Sequence, residues 1–110
     1  MNNDEFFVFR NDPGVIQEAA RNNWRVLRYL KRDFRLDFDI AIAALGMCLN
    51  SNERRRIADV VDLIPAERLR DPRLVECFPQ DGFPDLWRAV RGTIQKKEAY
   101  ARQFPGYGKK

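Results

Sequence analysis

The chain has 110 residues, 45% of them hydrophobic and 12% aromatic, which is enough apolar side chain for one modest core and too little length for two ordinary ones. Lys and Arg total 20 against 16 Asp and Glu, giving a net charge of +4 and a pI near 9.4, which excludes a disordered acidic or polycationic chain but leaves acidic proteins, nucleic acid and anionic lipid open as partners. No apolar run approaches the roughly 20 residues that span a bilayer, and the acidic start Met1-Asn-Asn-Asp-Glu resembles neither a signal nor a transit peptide.

Phe6, Phe7, Val8 and Phe9 make an apolar segment too brief for a lone strand, so residues 1–11 are expected to form an arm packed on the domain. Asp12 then has the character of a helix N-cap, with Pro13 at the first helical position, where a missing N–H costs nothing. Val15, Ile16, Ala19, Ala20, Val26, Leu27 and Leu30 keep a period near 3.6 and permit one helix to about Lys31. Asn22-Asn23 is its weak point, since both side chains compete for backbone hydrogen bonds, and a break there would leave two shorter helices.

Asp37 is the second cap, followed by Ile40, Ala41, Ala44, Leu45 and Cys48 on one face. Asn50 and Glu53 have capping-box spacing and open a helix with Ile57, Val60, Val61 and Ile64 on its apolar side, stopped by Pro65. Asp71-Pro72 repeats the start signal of Asp12-Pro13 and leads into Leu74, Val75 and Phe78 before Pro79. A last helix begins at Pro84, buries Phe83, Leu86, Trp87, Val90 and Ile94, and carries Lys96, Lys97 and Arg102 toward its negative end. No strand alternation is present. The expected fold is therefore all-α, a single domain of five or six short helices: an arm (1–11), a hairpin (12–45), the remaining helices with a longer C-terminal one (46–103) and a tail (104–110).

With Asp12, Val15, Ile16, Ala19, Asn23, Leu27, Tyr29, Phe34, Asp37, Ile40 and Ala44 in register, residues 12–45 resemble the helical-hairpin repeat family called domain of unknown function 4116. The interval of 25 from Asp12 to Asp37 is similar to that repeat, whereas Trp24 stands where the family carries Gly, and the pattern decays after Cys48. The resemblance implies a helical interaction module and no chemistry. The order of Leu27-Arg28-Tyr29, Asp37-Phe38-Asp39-Ile40, Asp62-Leu63 and a basic C-terminal helix is also similar to a small helical matrix-side subunit of mitochondrial complex III, although the Arg-Leu-Pro expected after its second helix is missing.

On a continuous helix Arg21, Arg25, Arg28 and Arg32 would form one stripe opposite the apolar face, able to grip phosphates or an acidic partner, or else to stand as an ordinary solvated face. Arg54, Arg55 and Arg56 fall in the first turn of the third apolar helix, where the dipole disfavours cations. That placement fits an outside anion, or a surface pair between Arg55 and Asp59. Trp24 beside these arginines is expected to be exposed as an interface anchor, Trp87 to be core, and Tyr29 to pack on the preceding helix.

Cys48 and Cys77, with 28 residues between them, fit no CxxC pattern and read as buried free thiols of a reducing intracellular compartment, cytoplasm or organelle matrix. The chain has no His, one Ser, and no Gly-rich phosphate loop, so no catalytic, metal or cofactor residues are assigned. The expected function is a non-catalytic protein-interaction module or small accessory subunit of a larger assembly. The alternative is a basic, nucleic-acid-associated protein at the periphery of a ribonucleoprotein particle.

Overall fold

The structure is a computed structural model and describes residues 12–103, so the Phe6–Phe9 arm and the tail from residue 104 lie outside the described residues. The described residues are all-α and contain no strand. In chain order they form α1 (Pro13–Asn22), a 3-10 segment (Trp24–Tyr29), α2 (Arg32–Leu36), α3 (Phe38–Leu49), a 3-10 turn (Arg54–Arg56), α4 (Ile57–Asp62), α5 (Ala66–Leu69), α6 (Arg73–Cys77) and α7 (Pro84–Gln103). The chain is cut more finely than a reading of five or six helices, because extended backbone at Leu30, Lys31 and Asp37 sets off α2 and a further short helix, α5, follows Pro65.

Both aspartate caps form. Asp12 has extended backbone and its Oδ1 accepts the N–H groups of Gly14 at 2.9 Å and Val15 at 3.4 Å. Asp37 is extended as well, and its Oδ1 accepts the Ile40 N–H at 3.1 Å. Replacing Asp37 by Ala should lower stability by about 0.5–2 kcal/mol, seen as a reduced urea midpoint at constant slope. A midpoint equal to wild type would show that the cap contributes nothing.

The expected capping box at Asn50 and Glu53 does not form. Asn50 instead caps the end of α3, its Nδ2 donating to Gly46 O at 2.8 Å, and Ser51 Oγ accepts the Glu53 N–H at 3.1 Å. The Glu53 carboxylate is drawn away to Arg25, so the chain enters α4 through the Arg54–Arg56 turn.

α3 is the centre of the fold. It has one charge, Asp39, and buries Ile40, Ala41, Ala44, Leu45, Cys48 and Leu49, a helix apolar on most sides and so covered on most sides. α1 packs along it, with α2, the Trp24–Tyr29 segment and α4 around the rest. Ala20, Ala41 and Ala44 are fully buried, and their small side chains let helices approach closely. α4 and α5 then pack on α7, which buries Leu86, Trp87, Val90 and Thr93, so one continuous core runs from Ile16 to Val90. Trp87 is core as expected, and its Nε1 donates to Phe78 O at 2.7 Å.

Two aliphatics assigned to apolar faces are only at their edges: Val15 and Val75 are each 41% exposed, since α1 buries only Ile16 and Ala20 and α6 only Leu74. Both cysteines are free, but only Cys48 is buried. Cys77 ends α6 facing outward and is exposed, which corrects the expectation of two buried thiols. Burial pushes the Cys48 thiol up to about 11, and its Sγ donates to Glu53 O at 3.2 Å. Among the described residues no helix is long and apolar enough to cross a membrane.

Candidate interaction surface

The arginine stripe depends on one helix running through Asn23, and the chain breaks there. Asn23 is extended, its N–H donates to Ala19 O at 2.9 Å, and its Oδ1 accepts the Arg25 N–H at 3.0 Å. It therefore ends α1 and caps the next segment at the same time. Arg21 stays on α1, paired with Glu18 at 2.7 Å, and is separated from the other arginines.

Beyond Asn23 the pitch changes. In a 3-10 helix residues three apart eclipse one another, so Trp24–Tyr29 presents three ridges. Trp24 and Leu27, with Leu30 after them, face the core. Arg25 and Arg28 form a second ridge, and Val26 and Tyr29 a third. Trp24 is thus fully buried, which corrects the expectation of an exposed anchor. At the pitch of an α-helix it would have pointed elsewhere.

The guanidinium carbons of Arg25 and Arg28 lie 4.7 and 5.5 Å from the Trp24 ring centroid, so both cations roof the indole that the core holds from below. Arg25 is further fixed by a two-pronged pair with Glu53, one bond at 3.0 Å, which holds the carboxyl of Glu53 below its usual range. Arg28 has no carboxylate partner among the described residues.

Most of the other candidate arginines are spent inside the molecule. Arg32 pairs with Glu67, and Arg54 holds Asp85 through bonds of 2.9 and 3.1 Å while lying over Phe83. Arg56, not Arg55, reaches Asp59, at 3.5 Å, an i,i+3 pair at the entry to α4. Arg55 is exposed and unpaired among the described residues. Of the eight residues singled out in the sequence, Arg25, Arg28 and Trp24 come together, and Arg54, Arg55 and Arg56 share a separate turn.

Tyr29 is a surface group. It was expected against the preceding helix, yet it is 63% exposed, beside Arg28 and the exposed Lys31. Its signal was a period of three in Trp24, Leu27 and Leu30, which leaves Val26 and Tyr29 on another ridge.

A second polar cluster braces the far side. Asp71 accepts from Arg68 at 2.6 Å and from the backbone and side chain of Arg73 at 2.9 and 2.8 Å, and Arg73 lies over the Phe38 ring at 4.0 Å. Arg73, with its own backbone N–H and then Arg68, holds the Asp71 carboxyl well below the usual carboxylate range. A depressed folded value means stability that is present above the unfolded pKa, near 4, and lost as pH falls below it. The difference in melting temperature between wild type and Asp71→Asn should therefore be widest near neutral pH and shrink below about pH 4. A constant difference across that range would show that the carboxylate charge is not involved.

Among the described residues no group of three or more His, Cys, Asp and Glu gathers in a metal-binding arrangement. A shallow depression of about 530 Å³ lies along Asp12, Val15, Glu18, Ala19 and Asn22 on the outer side of α1 and assembles no catalytic set. No protein-family model matches the chain, and no curated protein or solved structure is significantly similar to it.

Proposed function

We propose that the protein is a non-catalytic helical interaction module, a small accessory subunit that docks onto another protein through the ledge of Arg28 and Tyr29. One observation carries this reading: Tyr29 projects 63% exposed from a segment whose opposite ridge, Trp24 and Leu27, is fully buried. Tyr and Arg are the residue types that dominate protein–protein hot spots, and a ledge already fixed by the core loses little conformational freedom on binding. The equivalent caps at Asp12 and Asp37, with α1 packed on α3, support reading residues 12–45 as a repeat-type hairpin that presents this ledge.

The nucleic-acid alternative has less support. Arg25, Arg32, Arg54 and Arg56, which it would send to phosphates, already have carboxylate partners in the chain. Purification of the tagged chain at native expression decides between the two. The expected result is a stoichiometric protein partner that Tyr29→Ala loses while stability changes by no more than about 0.5 kcal/mol. Recovery as a free monomer would count against the subunit reading. RNA affinity falling steeply between about 50 and 200 mM salt would favour the alternative.

A further inference from the structure

α7 has an outward face that no other element among the described residues covers. Arg88, Arg91, Gly92, Gln95, Ala99 and Arg102 are all exposed, and at 3.6 residues per turn they share about 100° of its surface over about 21 Å. The two acids of this helix border that face, one at each edge, and both are taken by arginines of other elements: Asp85 pairs with Arg54 of the 3-10 turn, and Glu98 pairs with Arg70 between α5 and α6. Arg88, Arg91 and Arg102 are left with no carboxylate partner among the described residues, although ion pairs occupy most of the other arginines.

Gly92 is the second observation. Glycine inside a helix is disfavoured relative to alanine, and a Cβ built at Gly92 would meet, beyond the adjoining backbone of its own helix, no atom of the described residues within 4 Å. Nothing among the described residues requires the missing side chain. With Ala99 two turns further on, it gives the face a low floor between raised arginines, so that another backbone can come close.

We propose that this face of α7 is a docking surface for an acidic α-helix of a partner protein, whose backbone lies over Gly92 and Ala99 and whose carboxylates take Arg88, Arg91 and Arg102 in forked hydrogen bonds. Charge complementarity selects the acid, and the narrow, straight, low floor selects a helix. Nucleic acid fits less well, because the six residues include no aromatic to stack a base and only three cations to meet phosphates. This surface is on a different element from Tyr29 and does not depend on the role of that residue.

The test is amide chemical-shift mapping on the full chain, with an alanine-based helical peptide carrying a glutamate at every third or fourth position as the probe. Shifts are expected at residues 88–102 and not along α1. R88E/R91E should weaken the peptide by about tenfold or more. G92L, which leaves every charge in place, should weaken it too by filling the floor. Both variants should keep the thermal unfolding of wild type or exceed it, and Tyr29→Ala should bind the peptide normally. Absent or scattered shifts, or a G92L variant that binds like wild type, would overturn the proposal. So would a single-stranded RNA, or vesicles containing phosphatidylserine, that moves the same amides at lower concentration than the peptide does.

Discussion

Replacing Trp24 by Ala should destabilise the protein by about 3–5 kcal/mol, close to the whole stability of many domains of this size. The side chain is fully buried beneath Arg25 and Arg28, so its removal opens a cavity against Leu27 and α3 and also takes away the ring on which both cations rest. Trp87→Ala should cost a similar amount, since that ring is 7% exposed in the α7 core. Phenylalanine separates the two sites. Among the described residues the buried Trp24 Nε1 makes no well-formed hydrogen bond, only a weak approach to the Glu53 carboxylate, so Trp24→Phe loses volume and little hydrogen bonding. The Trp87 Nε1 donates to Phe78 O, so Trp87→Phe strands a buried carbonyl and should cost about 1–3 kcal/mol more than the change at Trp24. Chemical denaturation of the four variants measures this, and equal costs for the two phenylalanine variants would contradict the difference in hydrogen bonding.

The same two tryptophans mark what a sequence can and cannot say about this fold. Trp87 was legible because it lies at helical spacing with Leu86, Val90 and Ile94 in a segment that runs unbroken to Gln103. The aspartate caps were legible for a similar reason: Asp12 and Asp37 act on N–H groups two or three residues away, so their chemistry is local. Trp24 was not, because over six residues the periods 3.0 and 3.6 predict nearly the same aliphatic positions, Leu27 and Leu30, and differ in whether Trp24 or Val26 joins them. The fate of the arginines was hidden by distance along the chain. Arg25 and Glu53 are 28 positions apart, Arg54 and Asp85 31, and Arg32 and Glu67 35, and only the packed helices bring each pair together.

This pairing also explains why a basic composition is a poor guide to partners here. An arginine held in a forked pair adds specificity to the fold but contributes little net field, while an unpaired one costs nothing to leave in water and remains available. Which cations stay available is therefore decided by the tertiary structure, and among the described residues they include Arg28 beside Tyr29, and Arg88, Arg91 and Arg102 along α7. The densest run in the sequence, Arg54-Arg55-Arg56, contributes only Arg55.

Leu45→Ala should cost about 2–5 kcal/mol, and the loss should appear at both ends of the chain together. Leu45 is fully buried on α3, the helix that touches α1 on one side and α4 on another, and a single core joins the hairpin to the helices packed on α7. If residues 12–45 were an autonomous repeat, a cavity in it would loosen the hairpin and leave the α4 and α7 layer standing. A continuous core predicts the reverse, because removing α3 uncovers Ile57, Val60 and Val61 as well. The two tryptophans supply the readout, one in each part. In the Trp87→Phe background fluorescence reports the hairpin through Trp24, and in the Trp24→Phe background it reports α7 through Trp87. Within each background, fluorescence and helical circular dichroism should give one coincident midpoint, and Leu45→Ala should lower that midpoint in both. If Leu45→Ala shifts the Trp24 signal but leaves the Trp87 signal in place, the hairpin is a unit of its own, and its apolar faces are shared with α4 by contact alone.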